Sequence, residues 1–167
     1  MKELEIYIDG ASKGNPGPSG IGVVICQGGS VIKNISSYIG NATNNIAEYT
    51  ALIFALEEAL ILRAEYLTVK TDSQLLARQL NKVYKVKNAN ISGLYNQSVN
   101  LLQAFKKVSI YNIPREENKG ADKLATQAIK KFFYRKGQAG CGCPPVISAG
   151  GKSGLQRKAQ QVNTCPR

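Results

Sequence analysis

The sequence predicts an α/β fold, a five-stranded mixed sheet with helices on both faces. Three observations carry that reading. Apolar residues fall into five short strand patterns and four longer stretches that step by three or four. Their order is β-β-β-α-β-α-α-β-α, which mixes hairpin-connected strands with strands reached by right-handed helical crossovers. The 167 residues, 43% hydrophobic and 20% charged, suit a single domain with a proper core.

The elements follow in order. Three strands are expected over about 3–9, 20–27 and 30–39, with a glycine-rich turn from Gly10 to Gly20 joining the first two. Gln27-Gly28-Gly29-Ser30 makes the second and third a hairpin. A helix follows over about 45–62, where Ile46, Tyr49, Ile53, Leu56 and Leu60 form one apolar stripe. A strand over 66–71 leads to a helix over 73–81. The next helix, about 91–106, turns Ile91, Leu94, Tyr95, Leu102 and Phe105 inward. A fifth strand, about 108–113, stops at Pro114. The last helix, about 119–134, carries the stripe Ala121, Leu124, Ala125, Ala128, Ile129 and Phe132. No internal repeat is present.

Residues 137–167 differ in kind, with six Gly, three Pro, three Cys, four basic residues, no acid and no aromatic. They read as a flexible basic tail after a domain spanning 1–136. Of the four cysteines, Cys26 lies in an apolar strand and reads as a buried thiol, with a disulfide to a tail cysteine as the alternative that a cytoplasmic setting argues against. Cys141-x-Cys143 is no zinc spacing by itself, and a chain without His offers no mixed site.

The charge is unusual, 22 Lys+Arg against 11 Asp+Glu, a formal +11. It points to a polyanionic partner, nucleic acid before an anionic membrane surface. No apolar run reaches membrane length, and Met1 to Glu5 enter a strand pattern at once, so the expectation is a cytoplasmic protein without a secretory signal.

Against this basic background four acids stand at ends of elements. Asp9 closes the first strand, Asp72 follows the fourth, Glu48 opens the first helix and Asp122 the last. Each also has a purely structural account. Asn45 and Glu48 fit a capping box, Asp72 could cap the next helix, Asp122 suits a helix dipole, and Asp9 could be a solvated strand end. Together they carry more weight. Strands one and four are expected side by side in the parallel part of the sheet, whose carboxyl edge is where open α/β sheets place ligands. Four carboxylates there repel unless a divalent cation sits among them, and hard oxygen ligands favour Mg²⁺ or Mn²⁺. On a basic protein, that chemistry points to phosphate esters of nucleic acid.

The local sequences add a resemblance. Tyr7-Ile8-Asp9-Gly10-Ala11-Ser12-Lys13-Gly14-Asn15-Pro16-Gly17-Pro18, Thr43-Asn44-Asn45-Ile46-Ala47-Glu48-Tyr49, Thr71-Asp72-Ser73-Gln74 and Ala121-Asp122-Lys123-Leu124-Ala125 resemble, in order and spacing, four blocks of the type 1 ribonuclease H family. The resemblance covers residues 1 to about 134 and implies the ribonuclease H-like fold. It implies that Asp9, Glu48, Asp72 and Asp122 bind two Mg²⁺ or Mn²⁺ ions. The implied reaction hydrolyses the RNA strand of RNA–DNA hybrids, leaving 5′-phosphate and 3′-hydroxyl ends. By the same resemblance Asn15, Asn44 and Gln74 read bases and 2′-hydroxyls in the minor groove, and Thr43 with Asn15 forms a DNA-phosphate pocket. Helix capping and turn formation are the structural accounts of those asparagines. A monomer acting on a hybrid, with no membrane partner, is the resulting expectation.

The chain departs from the family at three places. Many members carry a histidine before the last carboxylate; here Ile113-Pro114-Arg115-Glu116-Glu117-Asn118 fills the region, as in a shorter archaeal and bacterial subgroup, with Arg115 or Glu116 as candidate substitutes. The basic protrusion of some members is represented only by Lys82, Lys85 and Lys87, and Asn41 stands where a basic residue is common. Two other functions compete, a non-catalytic nucleic-acid-binding module and a related nuclease such as a junction resolvase. The intact carboxylate set argues against the first. The Thr-Asn-Asn and Asp-Ser-Gln blocks argue against the second.

Overall fold

The structure is a computed structural model and describes residues 1–138. Five strands, β1 (Glu3–Ser12), β2 (Gly17–Gln27), β3 (Ser30–Ala42), β4 (Tyr66–Thr71) and β5 (Lys107–Asn112), form one sheet in the order β3-β2-β1-β4-β5. β1 pairs antiparallel with β2, and β2 with β3; β1, β4 and β5 run parallel. The helices are α1 (Asn44–Ile61), α2 (Gln74–Leu80), α3 (Ala89–Leu102) and α4 (Lys119–Gln138), with a 3-10 turn over Arg115–Glu117.

Strand alternation divides the core. Leu4, Ile6, Ile8, Ile21, Val23 and Ile25 face α1, where Tyr49, Leu52 and Leu56 close the main core. Tyr7, Val24 and Cys26 face the other way, toward Ala121 of α4. Helices thus cover both faces, as the apolar stripes required.

Four expectations need correction. The stretch from Gly10 to Gly20 is mostly strand, because β1 runs on to Ser12 and β2 begins at Gly17. The glycines serve close packing. A Cβ on Gly10 would lie 2.3 Å from the Glu48 backbone nitrogen in α1, and one on Gly22 2.0 Å from the Ala121 carbonyl oxygen in α4. Second, the caps shift. Thr43, not Asn45, caps α1 by accepting from the Ile46 N–H at 3.3 Å, and Ser73, not Asp72, caps α2. Glu48 and Asp72 are thereby freed from capping. Third, Cys26 is fully buried but disulfide-bonded rather than a free thiol, a state that its apolar strand context could not reveal. Fourth, α4 continues to Gln138, beyond the expected end, while α3 stops at Leu102 with Phe105 buried just after it. The flexible-tail expectation otherwise lies outside the described residues.

Candidate active site at the carboxyl edge of the sheet

Parallel pairing sets the site. Ile8 and Thr71 are register partners, so the next residues, Asp9 and Asp72, leave adjacent strands at the same level. Glu48 arrives from α1, which the missing Cβ of Gly10 lets approach β1 within backbone contact. Asp122 comes from the first turn of α4. One carboxylate oxygen each from Asp9, Glu48 and Asp72 lies within 4.8 Å of the other two. Asp122 stands outside that trio but lines the same open cleft, of about 370 Å³, and its Oδ1 accepts from Arg115 Nη2 at 2.8 Å.

The electrostatics follow from burial and like charge. Burial, then the neighbouring Asp72 and Asp122, pushes Asp9 up to about 7. Burial first, then Asp9 and Asp72, holds Glu48 well above the usual carboxylate range, against the opposing hydrogen bond from the Gly10 N–H. The arrangement fits a divalent metal. Glu48 Oε2 is buried without a hydrogen-bond partner among the described residues, and three hard oxygen donors converge in a cleft whose lining holds the one guanidinium of Arg115. A bound cation would take Asp9, Glu48 and Asp72 as ligands, and Asp122 lines the same cleft.

The other candidate residues are placed unequally. Asn44 lines the cleft. Exposed Asn15 accepts from the Asn44 N–H at 3.2 Å, which ties the β1–β2 turn to the start of α1. Thr43 caps α1 beside them. Gln74 is exposed at the start of α2 and does not line the cleft. Ser12 and Ser73 do, and no signal in the sequence marked Ser12 as more than part of a turn. Arg115 reaches the site as Asp122's partner, and Glu116 does not line it. Asn118, wholly buried, donates to the Asp72 carboxylate; its side chain gave no sequence signal because only the tertiary fold brings it there.

Fold and site together define a class, an α/β protein with a carboxylate cluster fitted for metal at the carboxyl edge of a mixed sheet. The chain belongs to the ribonuclease H family, matching over residues 7–128 the family model described as reverse transcriptase-like. A ribonuclease HI of Halobacterium salinarum is 40% identical over 127 residues, covering 75% of this chain and 64% of that protein. The crystal structure of an RNase H1 from the same archaeon superposes with a TM-score of 0.76 at 38% identity, covering 77% of this chain and 98% of that one. A compost-derived RNase H1, LC11, solved in complex with an RNA/DNA hybrid, gives 0.74 at 39% identity over 78% and 99% of the two chains. The chain spans 35% of the length of the mycobacterial relatives that it matches. No helix among the described residues is long and apolar enough to cross a membrane.

Proposed function

We propose that residues 1–136 form a metal-dependent endoribonuclease domain that hydrolyses the RNA strand of RNA–DNA hybrids, leaving 5′-phosphate and 3′-hydroxyl ends. The observation that carries this is the convergence of Asp9, Glu48 and Asp72 within 4.8 Å on a chain of formal charge +11. A pure binder gains nothing from concentrated negative charge beside phosphate. The related RNase H1 solved with an RNA/DNA hybrid supports the choice of substrate.

Two divalent ions, Mg²⁺ or Mn²⁺, would supply activation of the attacking water and neutralisation of charge on the phosphodiester. The chain's own residues do the rest. A cation held there would compete with protons for the Asp9 and Glu48 carboxylates. Asn15, Thr43 and Asn44, joined around the N-terminus of α1, present polar groups to one strand beside the cleft. Gln74, exposed at the start of α2, would read the minor groove together with Asn15 and Asn44. Contacts to 2′-hydroxyls on one strand and a phosphate pocket for the other select a hybrid. With no His in the chain, proton transfer runs without imidazole, and Arg115 occupies the loop beside Asp122.

The test is cleavage of labelled hybrid, double-stranded RNA and double-stranded DNA, each with Mg²⁺ and with chelator, by the wild type and by Asp72→Asn. The expected result is Mg²⁺-dependent cutting of RNA in the hybrid alone, abolished by the substitution in a still-folded protein. Binding without cleavage would establish a non-catalytic module instead. Cutting of branched DNA but not hybrid would establish a resolvase.

A further inference from the structure

Asn118 lies between the 3-10 turn and α4, 0% exposed. Its backbone carbonyl accepts from the Asp122 N–H at 3.1 Å, so it begins the helix that carries Asp122. Its side chain reaches into the sheet instead. Nδ2 donates to the Ile8 carbonyl at 2.9 Å and to Asp72 Oδ1 at 3.2 Å. Ile8 immediately precedes Asp9. One amide therefore ties together the chain segments that carry three of the four carboxylates. Both partners are oxygens, which fixes the nitrogen, not the oxygen, as the end that faces them.

The neutral amide suits the task. A lysine or arginine at this point would orient Asp72 but neutralise it and compete with a cation for its oxygens. An amide N–H orients the carboxylate and leaves its charge available. Asp72 needs such a restraint, because Asp9 and Glu48 lie within 4.8 Å and repel it, and it sits half-exposed at a strand end. The other end of the amide works against stability. Asn118 Oδ1 is buried with no hydrogen-bond donor among the described residues, and an unpartnered buried acceptor is destabilising. A local rule broken beside a site is the pattern expected where function, not packing, sets the residue.

We infer that Asn118 is a positioning residue, holding Asp72 in its metal-binding orientation through the Nδ2–Oδ1 hydrogen bond and locking the end of β1 to the start of α4. The inference rests on the reading that these carboxylates hold a divalent cation.

The test is Mn²⁺ binding by calorimetry to the full chain, as wild type, Asn118→Ala and Asp72→Asn, with the metal-free melting temperature, kcat and KM measured beside it. Loss of an outer-shell partner of a metal ligand weakens metal binding by about 10–100-fold. The expected result for Asn118→Ala is a Mn²⁺ dissociation constant raised about tenfold, a kcat that recovers toward wild type as Mn²⁺ is increased, and an unchanged KM for hybrid. A lower melting temperature with an unchanged Mn²⁺ dissociation constant would make Asn118 a structural tie only and overturn the inference. If wild type binds Mn²⁺ no better than Asp72→Asn, the metal reading itself fails and this inference with it. If Asn118→Ala does not fold, nuclear magnetic resonance of the wild type decides. The Asn118 side-chain amide signal should shift during Mg²⁺ titration along the same curve as the Asp72 carboxyl carbon, and a signal that stays still overturns the proposal.

Discussion

Asp9 concentrates the physics of the site in one side chain. It is 5% exposed, and burial together with Asp72 and Asp122 raises its carboxyl from 3.8 to about 7. Between those values the unfolded chain ionises while the folded carboxyl keeps its proton. The native state then binds more protons than the unfolded one, so stability falls as pH rises through the window. A rise of that size corresponds to on the order of 4 kcal/mol between the two protonation states. We expect Asp9→Asn, measured with chelator by urea unfolding, to show a shallower decline from pH 4 to 7 than wild type. It should be the more stable protein at pH 7.5. Mg²⁺ should then stabilise wild type at that pH and leave the variant unchanged. Equal pH slopes for the two proteins would refute the crowding of these carboxylates. The sequence showed Asp9, Glu48 and Asp72 because each stands in a local block at the end of an element. It misassigned their neighbours' caps because Thr43, Asn44 and Asn45 are three consecutive good N-cap residues, and only the backbone decides among them. Asn118 was invisible for a different reason. Its partners, Ile8 and Asp72, are 110 and 46 residues away in sequence.

At the level of elements, the strand β4 and the start of α4 stand where the sequence placed them, and α1 and α2 lie within one residue. These segments have strong periodicity and clear punctuation. The stretch from Gly10 to Gly20 misled for a physical reason. Glycine reads as turn in a sequence, yet Gly10, Gly20 and Gly22 lie in strands whose faces press on helix backbones. The information is in the partner helix, not in the strand. The consequence is testable at Gly22. A Cβ there would meet the Ala121 carbonyl oxygen at 2.0 Å and the Ala125 nitrogen at 2.7 Å, so Gly22→Ala forces α4 off β2. Overpacking of this kind costs about 1–3 kcal/mol, and backbone atoms cannot yield as a side chain would, so the upper end is expected. Because α4 carries Asp122, the surviving folded protein should also cleave more slowly. Gly93 in α3 is the control, with nothing within 4 Å of the added methyl. Gly93→Ala should raise stability by about 0.5–1 kcal/mol through helix propensity, without affecting cleavage. Denaturant midpoints and hybrid cleavage rates of the two variants give the comparison. A Gly22→Ala protein as stable as wild type would mean that α4 does not pack as described.

Over the whole molecule, charge and the C-terminal residues of the sequence meet. Removing 139–167 deletes Lys152, Arg157, Lys158 and Arg167 and no acid, and leaves the remaining chain at +7. The body would keep its carboxylate cluster and its cleft, so chemistry and grip should separate. Each cation that meets a phosphate releases a counterion, and the logarithm of affinity falls with the logarithm of salt by about 0.9 per contact on duplex DNA. Four cations set the ceiling. The truncated chain should lose a slope of roughly one to three in that plot, show a KM raised several-fold at moderate salt, and keep its kcat. The cysteines impose a condition on the experiment. Cys26 is disulfide-bonded on β2, and the three other cysteines of the chain all fall within 139–167. The two proteins therefore have to be compared with and without reductant. A salt slope that drops equally in both conditions assigns the effect to charge. A fall in melting temperature confined to non-reducing conditions assigns it to the cysteines. An unchanged salt slope in reductant would show that these cations do not meet the nucleic acid, and that the grip on hybrid comes from the basic residues of the folded body.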